Sequence, residues 1–496
     1  MPTVNDFLAT LGINTHVDAT TTTYGDLTLV ESALAYLGFS LIRDHAYDFA
    51  LPAFHTLAQA GIRFDLITDG AKPATAVKAF APLGTAIASF EGANEVDLFP
   101  VEAAATLGPV KAAVQEQQLL FAAVRALPQF NTTPVLNETV GDPANIKAYA
   151  AAAASSDILN VHAYANTDAP LTTILATVKI ETGSSPKGIA LTETGYDTLP
   201  SDPQGVDESV QARYTLDSLF DAFNRGLTAT YLYELLDEAP DPAGTDPQLH
   251  YGLFHADGSP KLAAVALHDL TSILSSLPAG TAPITVSPTI TAPASVHSLA
   301  LDGNTTGVIA VWAEPPLWDP TTQTEIPMTP TTIGINLGTI AAFVSVYDPL
   351  LGTAPIATYA QVSQIGVDVT DHPLIIEATA AATVSAAPPP PSPPDPAPAP
   401  IPPPLPTSSA PDLAPPPAEM SATPDAASPD PTSTGALRST ALAVKFVVTS
   451  PLLAQATAIP IETGDGGTPE PLPASLHVFP MTLALTTILT LGPNTA

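Results

Sequence analysis

Residues Thr85–Asp97 read TAIASFEGANEVD and join a short apolar run to a polar turn. An apolar run of this length that ends at a glycine is typical of a strand buried on both faces of a parallel α/β sheet. Asn94 and Glu95 then lie at the end of that strand. Gly188–Asp197, GIALTETGYD, has the same form and places Glu193 after a second apolar run. Two carboxylates at the ends of parallel strands can face one pocket, as a two-carboxylate hydrolase requires.

Short apolar runs and amphipathic segments alternate from residue 12 to about residue 276. The runs predict strands at Ile13–Asp18, Ser40–Asp44, Arg63–Asp69, Ala86–Phe90, Thr133–Leu136, Ile158–His162, Ile189–Thr192 and Ala229–Glu234. The segments between them predict helices at Leu27–Leu37, Leu51–Ala60, Ala74–Phe80, Val110–Leu127, Ala144–Ala154, Leu171–Val178, Val210–Phe223 and Lys261–Leu274. Eight such units fit a (β/α)8 TIM barrel of about 250 residues.

A doubly wound open sheet is the structural alternative. Its glycine-rich phosphate-binding sequence after the first strand is missing, which favours the barrel. Glu95 and Glu193 are separated by about three units of roughly 31 residues each. They are therefore predicted to follow strands four and seven, on opposite sides of one barrel mouth.

The composition of the chain changes after the predicted barrel. Residues 281 to about 378 are rich in Thr, Val and Ile and predict a small antiparallel β-sandwich. The next segment, which begins SAAPPPPSPPDP, has too few backbone donors to join a helix or sheet and predicts an extended linker. The predicted domains are a barrel over 1–278, a sandwich over 279–384, a proline-rich linker over 385–435, and a C-terminal module or export signal over 436–496.

The chain carries 48 acidic and 14 basic residues, for a formal net charge of -34. Nucleic acid and anionic membranes would be repelled by this charge, whereas a neutral carbohydrate is compatible with it. The chain has no cysteine for disulfides or metal ligation. Neither a secretory signal peptide nor an apolar run long enough for membrane insertion is visible. The proline-rich spacer suits work outside the cell, and we expect a secreted or cell-surface protein that is a monomer.

The motifs resemble the retaining glycoside hydrolases of clan A, whose barrels carry an Asn-Glu pair after strand four and a Glu after strand seven. Here GANEVD supplies Asn94 and Glu95, and LTETGY supplies Glu193. The opening GINTHVD with LGFSLIRDH is most like family 39 and its relatives, in which an arginine, here Arg43, ends the second strand. The sequence HAY at His162–Tyr164 matches a frequent clan feature, and YGLFHADGSPKLAAVAL matches the closing segment of the family.

The resemblance implies hydrolysis of β-glycosidic bonds in a polysaccharide or oligosaccharide by double displacement. Glu95 would be the acid/base and Glu193 the nucleophile. Arg43 and Tyr164 would keep Glu193 charged, because a cation or a hydroxyl donor beside a carboxylate favours its ionised form. Asn94 would bond the sugar 2-hydroxyl, an interaction that strengthens in the transition state.

The resemblance covers about residues 10 to 378 and includes one departure. Many clan members carry a tryptophan at the end of strand eight as a sugar platform, whereas this chain has tyrosines there and no tryptophan in the barrel. Stacking on sugar would then fall to tyrosines. The predicted substrate-binding residues are Asn94, His16, Arg43, His162, Tyr164, Tyr196, Tyr233 and Glu234, with Tyr251 as a further stacking candidate.

The residues alone leave alternatives open at each position. Asn94 and Glu95 could cap the next helix, and Arg43 could be a structural ion-pair partner of Asp44 or Asp18. His16 and His162 could equally be hydrogen-bonded core residues. Glu138, in VLNET after strand five, could bind substrate or replace a catalytic partner.

The ten histidines show no metal-ligand spacing, so neither a metal nor a cofactor is expected. A non-catalytic carbohydrate-binding protein and an extracellular matrix component are the alternative functions. The presence of both Glu95 and Glu193 favours an enzyme, since a binding protein has no need of two reactive carboxylates.

Overall fold

The computed structural model describes residues 1–69, 72–182, 186–277 and 284–380. The predicted linker and C-terminal module, over 385–435 and 436–496, lie outside the described residues. The barrel and the second sheet belong to one compact unit.

Within the described residues, eight parallel strands pair in the order β5-β4-β3-β2-β1-β8-β7-β6. The edge strands also meet, because the Asn137 N–H after β5 donates to the Ile158 carbonyl before β6 at 3.0 Å. The sheet is thus the closed barrel that the sequence predicted, and the open-sheet alternative is wrong. The strands are β1 Leu11–Asn14, β2 Leu41–His45, β3 Arg63–Ile67, β4 Ile87–Glu91, β5 Val135–Leu136, β6 Leu159–His162, β7 Ile189–Thr194 and β8 Thr230–Leu232.

Helices surround the barrel between these strands. They are α1 Val4–Leu8, α2 Leu27–Leu37, α3 Leu51–Gln59, α4 Pro73–Phe80, α5 Ala104–Leu107, α6 Pro109–Arg125, α7 Ile146–Tyr149, α8 Pro170–Thr182, α9 Glu208–Asn224 and α10 Leu262–Ser275. Short 3-10 helices lie at Thr23–Gly25, Asp48–Ala50, Ala81–Ala86, Pro128–Phe130, Pro143–Asn145, Ala152–Ser155 and Pro247–His250. None of the helices in the described ranges is both long enough and apolar enough to cross a membrane.

Helix α2 shows how local signals set the bounds. The Asp26 carboxylate accepts hydrogen bonds from the N–H groups of Thr28 and Leu29, which caps the first turn. Gly38 follows the last turn with φ of 70°, a left-handed conformation that glycine adopts without steric cost. The buried residues Val30, Ala33, Leu34 and Leu37 form one stripe toward the barrel.

Helix α7 is much shorter than the helix predicted over 144–154. It lies between 3-10 turns that begin at Pro143 and Ala152. In this alanine-rich segment Ile146 and Tyr149 are the large buried side chains, so little apolar packing extends the helix.

The second sheet is antiparallel, with strand order β10-β11-β16-β14-β15 and β9 paired with β14. The pairing of β14 with β15 shifts register between Asn336 and Ala341. Both halves of β14 then contribute to one apolar core with β11 and β16. This agrees with the predicted small antiparallel β-sandwich. The strands are β9 Thr289–Thr291, β10 Val296–Asp302, β11 Thr306–Ala313, β14 Thr331–Tyr347, β15 Ala357–Val369 and β16 Leu374–Thr379, and a separate hairpin consists of β12 Trp318–Asp319 and β13 Thr324–Glu325.

The sandwich packs on α9 of the barrel. Trp312 of β11 is fully buried and lies 5.6 Å from the ring of Phe220, between ring centroids. Its indole N–H donates to Asp221 at 3.2 Å. The two halves of this unit therefore share one continuous core.

Candidate active site

Polar side chains converge at the carboxyl ends of the barrel strands. Parallel strands in a closed barrel all end at the same face, so residues far apart in sequence meet there. The group comprises Asn14 on β1, Arg43 on β2, Asn94 and Glu95 after β4, His162 on β6 and Glu193 on β7.

Arg43 is the charged centre of this group and is 1% exposed. Its guanidinium donates two hydrogen bonds to Glu91, at 2.9 and 2.6 Å, in a bidentate pair. It also donates at 2.6 Å to Glu193 Oε1, at 2.6 Å to Asn94 Oδ1 and at 2.9 Å to Asn14 Oδ1. One buried cation thus joins β1, β2, β7, the end of β4 and the turn that follows β4.

Glu91 is a site residue that the sequence reasoning missed. The sequence offered Asp44 or Asp18 as the ion-pair partner of Arg43, and that alternative is wrong. Asp44 instead accepts a hydrogen bond from the Thr15 hydroxyl at 2.6 Å. The signal for Glu91 is its position at the end of an apolar strand, where a buried carboxylate requires a buried cation.

Glu193 is held by donors on both carboxylate oxygens. Arg43 donates to Oε1, and the Tyr164 hydroxyl donates to Oε2 at 2.7 Å. The nearest His162 nitrogen lies 3.4 Å from Oε2. Burial alone would raise the pKa of Glu193. The charges of His162 and Arg43 and the Tyr164 hydrogen bond outweigh burial, so the pKa lies below its ordinary value.

Glu95 faces Glu193 across the mouth. Glu95 Oε1 lies 2.8 Å from His162 Nδ1, and its side chain is 18% exposed against 9% for Glu193. The ligand atoms of Glu95, His162 and Glu193 all lie within 4.8 Å of one another. The Glu95 backbone has φ of 43°, a region that non-glycine residues seldom adopt, and its N–H donates to the Thr139 hydroxyl at 2.8 Å.

Asn94 directs its side chain into the same group. Its Oδ1 accepts from Arg43 and, at 3.3 Å, from the Thr139 hydroxyl, which leaves the amide nitrogen to meet a ligand. The side chains of Asn94 and Glu95 therefore point at Arg43 and His162. The alternative in which this pair caps the next helix is wrong.

Tyrosines form one wall of the pocket. The rings of Tyr164, Tyr233 and Tyr251 pack edge to face, with pairwise centroid distances of 6.2, 5.9 and 5.6 Å. His16 lies 5.8 Å from the Tyr233 ring. These three tyrosines are among the stacking candidates that the sequence offered in place of a tryptophan.

Glu234 lies behind this wall and is fully buried. Its Oε2 accepts from the Tyr24 hydroxyl at 2.9 Å and lies 3.2 Å from His16 Nε2. Burial raises the pKa of Glu234 despite the nearby imidazole. Burial would lower the pKa of His16, but Glu234 outweighs it and the pKa is raised to about 9.

Two predicted residues do not join the site. Tyr196 is 2% exposed and packs against Tyr214 under the sandwich, so its ring has no free face for sugar and the stacking prediction is corrected. Glu138 is also buried. Burial, with the charges of Glu116 and Glu181 on the outer helices, raises its pKa to about 8. Its position beside α6 and α8 argues against replacement of a catalytic partner.

Comparisons with known proteins identify the fold. No protein-family model matches the sequence, and a search of curated proteins finds no match. Among solved structures, a family 39 glycoside hydrolase from Bacteroides cellulosilyticus WH2 aligns with a TM-score of 0.55 at 15% identity, over 75% of this chain and 82% of that chain. The family 39 enzyme from Xanthomonas axonopodis pv. citri gives 0.52 at 14% identity, over 76% and 95%. A monomeric β-xylosidase from Caulobacter crescentus CB15 gives 0.51 at 14% identity, over 75% and 96%.

The chain therefore has the fold of the family 39 glycoside hydrolases, a (β/α)8 barrel followed by a β-sandwich. This confirms the predicted resemblance at the level of the fold. Sequence identities of 14–15% establish a shared fold and do not establish a shared reaction.

Proposed function

We propose that the protein is a retaining glycoside hydrolase that cleaves β-glycosidic bonds in a polysaccharide or oligosaccharide. Glu95 acts as the acid/base and Glu193 as the nucleophile. The observation that carries this proposal is the placement of oxygens from both carboxylates within 4.8 Å of each other. Retaining enzymes hold their two carboxyl groups about 5–5.5 Å apart, whereas inverting enzymes need about 6.5–9.5 Å to admit a water.

The environments of the two glutamates support different roles. Glu193 is held ionised by Arg43 and Tyr164, as a nucleophile must be to attack the anomeric carbon. Glu95 is the more exposed of the two, and its Oε1 lies 2.8 Å from His162 Nδ1, through which its proton can be positioned. It protonates the departing sugar oxygen and then, as a carboxylate, activates water to release the glycosyl enzyme.

Asn94 and three tyrosines add neutral groups beside the two glutamates. The amide of Asn94 is placed to meet the sugar 2-hydroxyl, and the wall of Tyr164, Tyr233 and Tyr251 supplies apolar surface for a pyranose ring. Because one fold neighbour is a β-xylosidase, aryl β-xylosides are the first substrates to test. That neighbour is described as monomeric, and we expect a monomer here also.

Replacement of the proposed nucleophile tests the first role. Glu193→Ala is expected to abolish turnover of an aryl β-glycoside while sugar binding persists. Added azide is expected to restore release of the aryl group and to give a glycosyl azide of inverted configuration. Unchanged hydrolysis by the variant would reject Glu193. Sugar binding without turnover in the wild type would instead favour the carbohydrate-binding alternative.

Replacement of the proposed acid tests the second role. Glu95→Gln is expected to slow substrates with poor leaving groups by at least about 10²-fold, the usual lower bound for general acid catalysis. Substrates with activated aryl leaving groups are expected to lose less in the glycosylation step, because they depart without a proton. Comparison of kcat/KM over a leaving-group series measures the difference, and equal losses across the series contradict the acid role.

A further inference from the structure

A second cluster of metal-type donors lies beside the pocket and is distinct from the proposed catalytic pair. His16 follows β1, and Glu234 and Glu238 follow β8. One ligand atom from each of the three lies within 4.8 Å of the other two. His16 is remote in sequence from the two glutamates, but β1 pairs with β8 when the barrel closes. For that reason no metal-ligand spacing in the sequence indicates the cluster.

We propose that His16, Glu234 and Glu238 bind one divalent transition-metal cation of the zinc type. An imidazole with two carboxylates suits Zn²⁺, Co²⁺ or Mn²⁺, whereas Ca²⁺ and Mg²⁺ take oxygen ligands almost exclusively. The proposal is independent of the glycosidase reaction, because it concerns binding and not turnover.

The spacing of the donors fits one shared cation. His16 Nε2 lies 3.2 Å from a Glu234 oxygen, yet within the described residues that nitrogen makes no well-directed hydrogen bond. Two ligands that each lie about 2.0–2.2 Å from one zinc ion are themselves about 3.0–3.5 Å apart. Binding displaces the proton of His16 Nε2, and the lone pair that is freed points at the metal and not at the oxygen.

A buried and partly unpartnered carboxylate is the second observation. Glu234 is fully buried, and its Oε1 has no hydrogen-bond partner in the described part of the chain. A buried carboxylate oxygen without a partner is costly, and a cation that took both Glu234 oxygens as ligands would satisfy it. Tyr24 donates to the other oxygen at 2.9 Å, as groups around metal ligands commonly do.

The backbone beside the cluster is held by hydrogen bonds, and the cluster is partly exposed to solvent. The Glu238 carbonyl accepts from both the backbone N–H and the hydroxyl of Thr23, at 2.8 and 2.7 Å. The His16 side chain is 21% exposed, so a cation can enter and keep a position for water or a sugar hydroxyl.

The neighbouring charges distinguish this cluster from the catalytic group. Glu95, His162 and Glu193 also bring ligand atoms together, but Arg43 donates to Glu193 at 2.6 Å and repels a second cation there. The charged groups that act most strongly on His16 are instead carboxylates, those of Glu234, Asp44 and Glu238.

Cobalt spectroscopy on the untagged full chain tests the proposal. After treatment with a chelator, titration with Co²⁺ is expected to give the intense visible absorption of a four- or five-coordinate ion, saturating at one equivalent. Added Zn²⁺ is expected to displace it. Glu238→Gln and His16→Gln are each expected to weaken Co²⁺ binding at least tenfold while the circular dichroism spectrum stays that of the wild type.

Matched controls separate this site from other carboxylates at the mouth. Asp69→Asn alters another histidine–carboxylate pair, in which His45 Nδ1 lies 2.7 Å from Asp69 Oδ1, and is expected to leave Co²⁺ binding unchanged. Glu193→Gln is expected to leave it unchanged as well. Absorption no stronger than that of Co²⁺ in water would overturn the proposal and leave an ordinary His16–Glu234 ion pair. Loss of binding in Glu193→Gln but not in Glu238→Gln would overturn it too.

Discussion

The pKa of one carboxylate, that of Glu193, is lowered by the charge of His162 and by two donors of different kinds. Arg43 supplies a full charge and Tyr164 a neutral hydroxyl. Burial opposes both, and the outcome is a pKa below the ordinary value. Glu193 is therefore ionised at neutral pH.

Removal of the Tyr164 hydroxyl is expected to change the pKa of Glu193. In Tyr164→Phe the pKa of Glu193 is expected to rise, because burial keeps its effect while one stabilising hydrogen bond is lost. The acidic limb of the kcat/KM profile, which reports ionisation of the nucleophile, should move to higher pH by about one unit, the equivalent of about 1.4 kcal/mol. Tyr36→Phe, on the outer helix α2, is the control and should leave the profile in place. An acidic limb that does not move contradicts the assignment of Glu193 to that limb.

The sequence predicted most of this site because its members end strands, a position that periodicity reveals. Glu193 was found in this way, whereas Arg43 was indicated by the resemblance to family 39. Glu91 was missed because nothing in a linear pattern tells a paired carboxylate from a free one. Tyr196 was misplaced because its burial comes from the sandwich, which contacts the barrel through residues more than 100 positions away.

Helices differ in how far local sequence signals define where they begin and end. Helix α2 has a side-chain cap, a buried stripe and a C-terminal glycine, and its observed bounds, Leu27–Leu37, match the prediction. Helix α7 has an alanine-rich sequence with few large apolar residues, and the predicted helix is replaced by a single helical turn between 3-10 turns. Tertiary packing, which the sequence pattern does not show, decides such weakly patterned segments.

The N-cap of α2 makes a testable contribution to stability. Asp26→Ala removes the acceptor of two backbone N–H groups and is expected to lower the free energy of unfolding by about 1 kcal/mol. Urea denaturation measures the change. Asp26→Asn keeps a capping oxygen and should stay close to the wild type, so an equal loss in both variants would show that charge, and not capping, is responsible.

At the scale of the whole molecule, buried acidic groups are concentrated at the contact between the barrel and the sandwich. Asp217 is fully buried on α9, and both of its carboxylate oxygens lack a hydrogen-bond partner among the described residues. Burial, together with the charge of Glu314, raises the pKa of Asp221 to about 9. The Asp221 carboxyl is therefore neutral when the two halves are packed together at neutral pH.

This interface makes stability depend on pH. Asp221 has a folded pKa of about 9 against an ordinary value of 3.8, so it binds a proton more tightly when folded. Its contribution is complete below about pH 4 and is lost progressively as the pH rises through 9. Asp221→Asn keeps an acceptor for the Trp312 N–H and cannot ionise. Between pH 6 and 9.5 its Tm is expected to fall less than that of the wild type, as measured by calorimetry. Parallel Tm curves for the two proteins would contradict the argument.

The location of the two tryptophans has a practical consequence. The Trp312 ring lies 5.6 Å from that of Phe220 with the ring planes tilted by 48°, and Trp318 belongs to the apolar cluster that includes Tyr196 and Tyr214 of the barrel. Tryptophan fluorescence therefore reports on the contact between the barrel and the sandwich. Tyrosine emission comes chiefly from other parts of the chain. A red shift of the indole band that precedes loss of activity on heating would show that the halves part before the barrel melts.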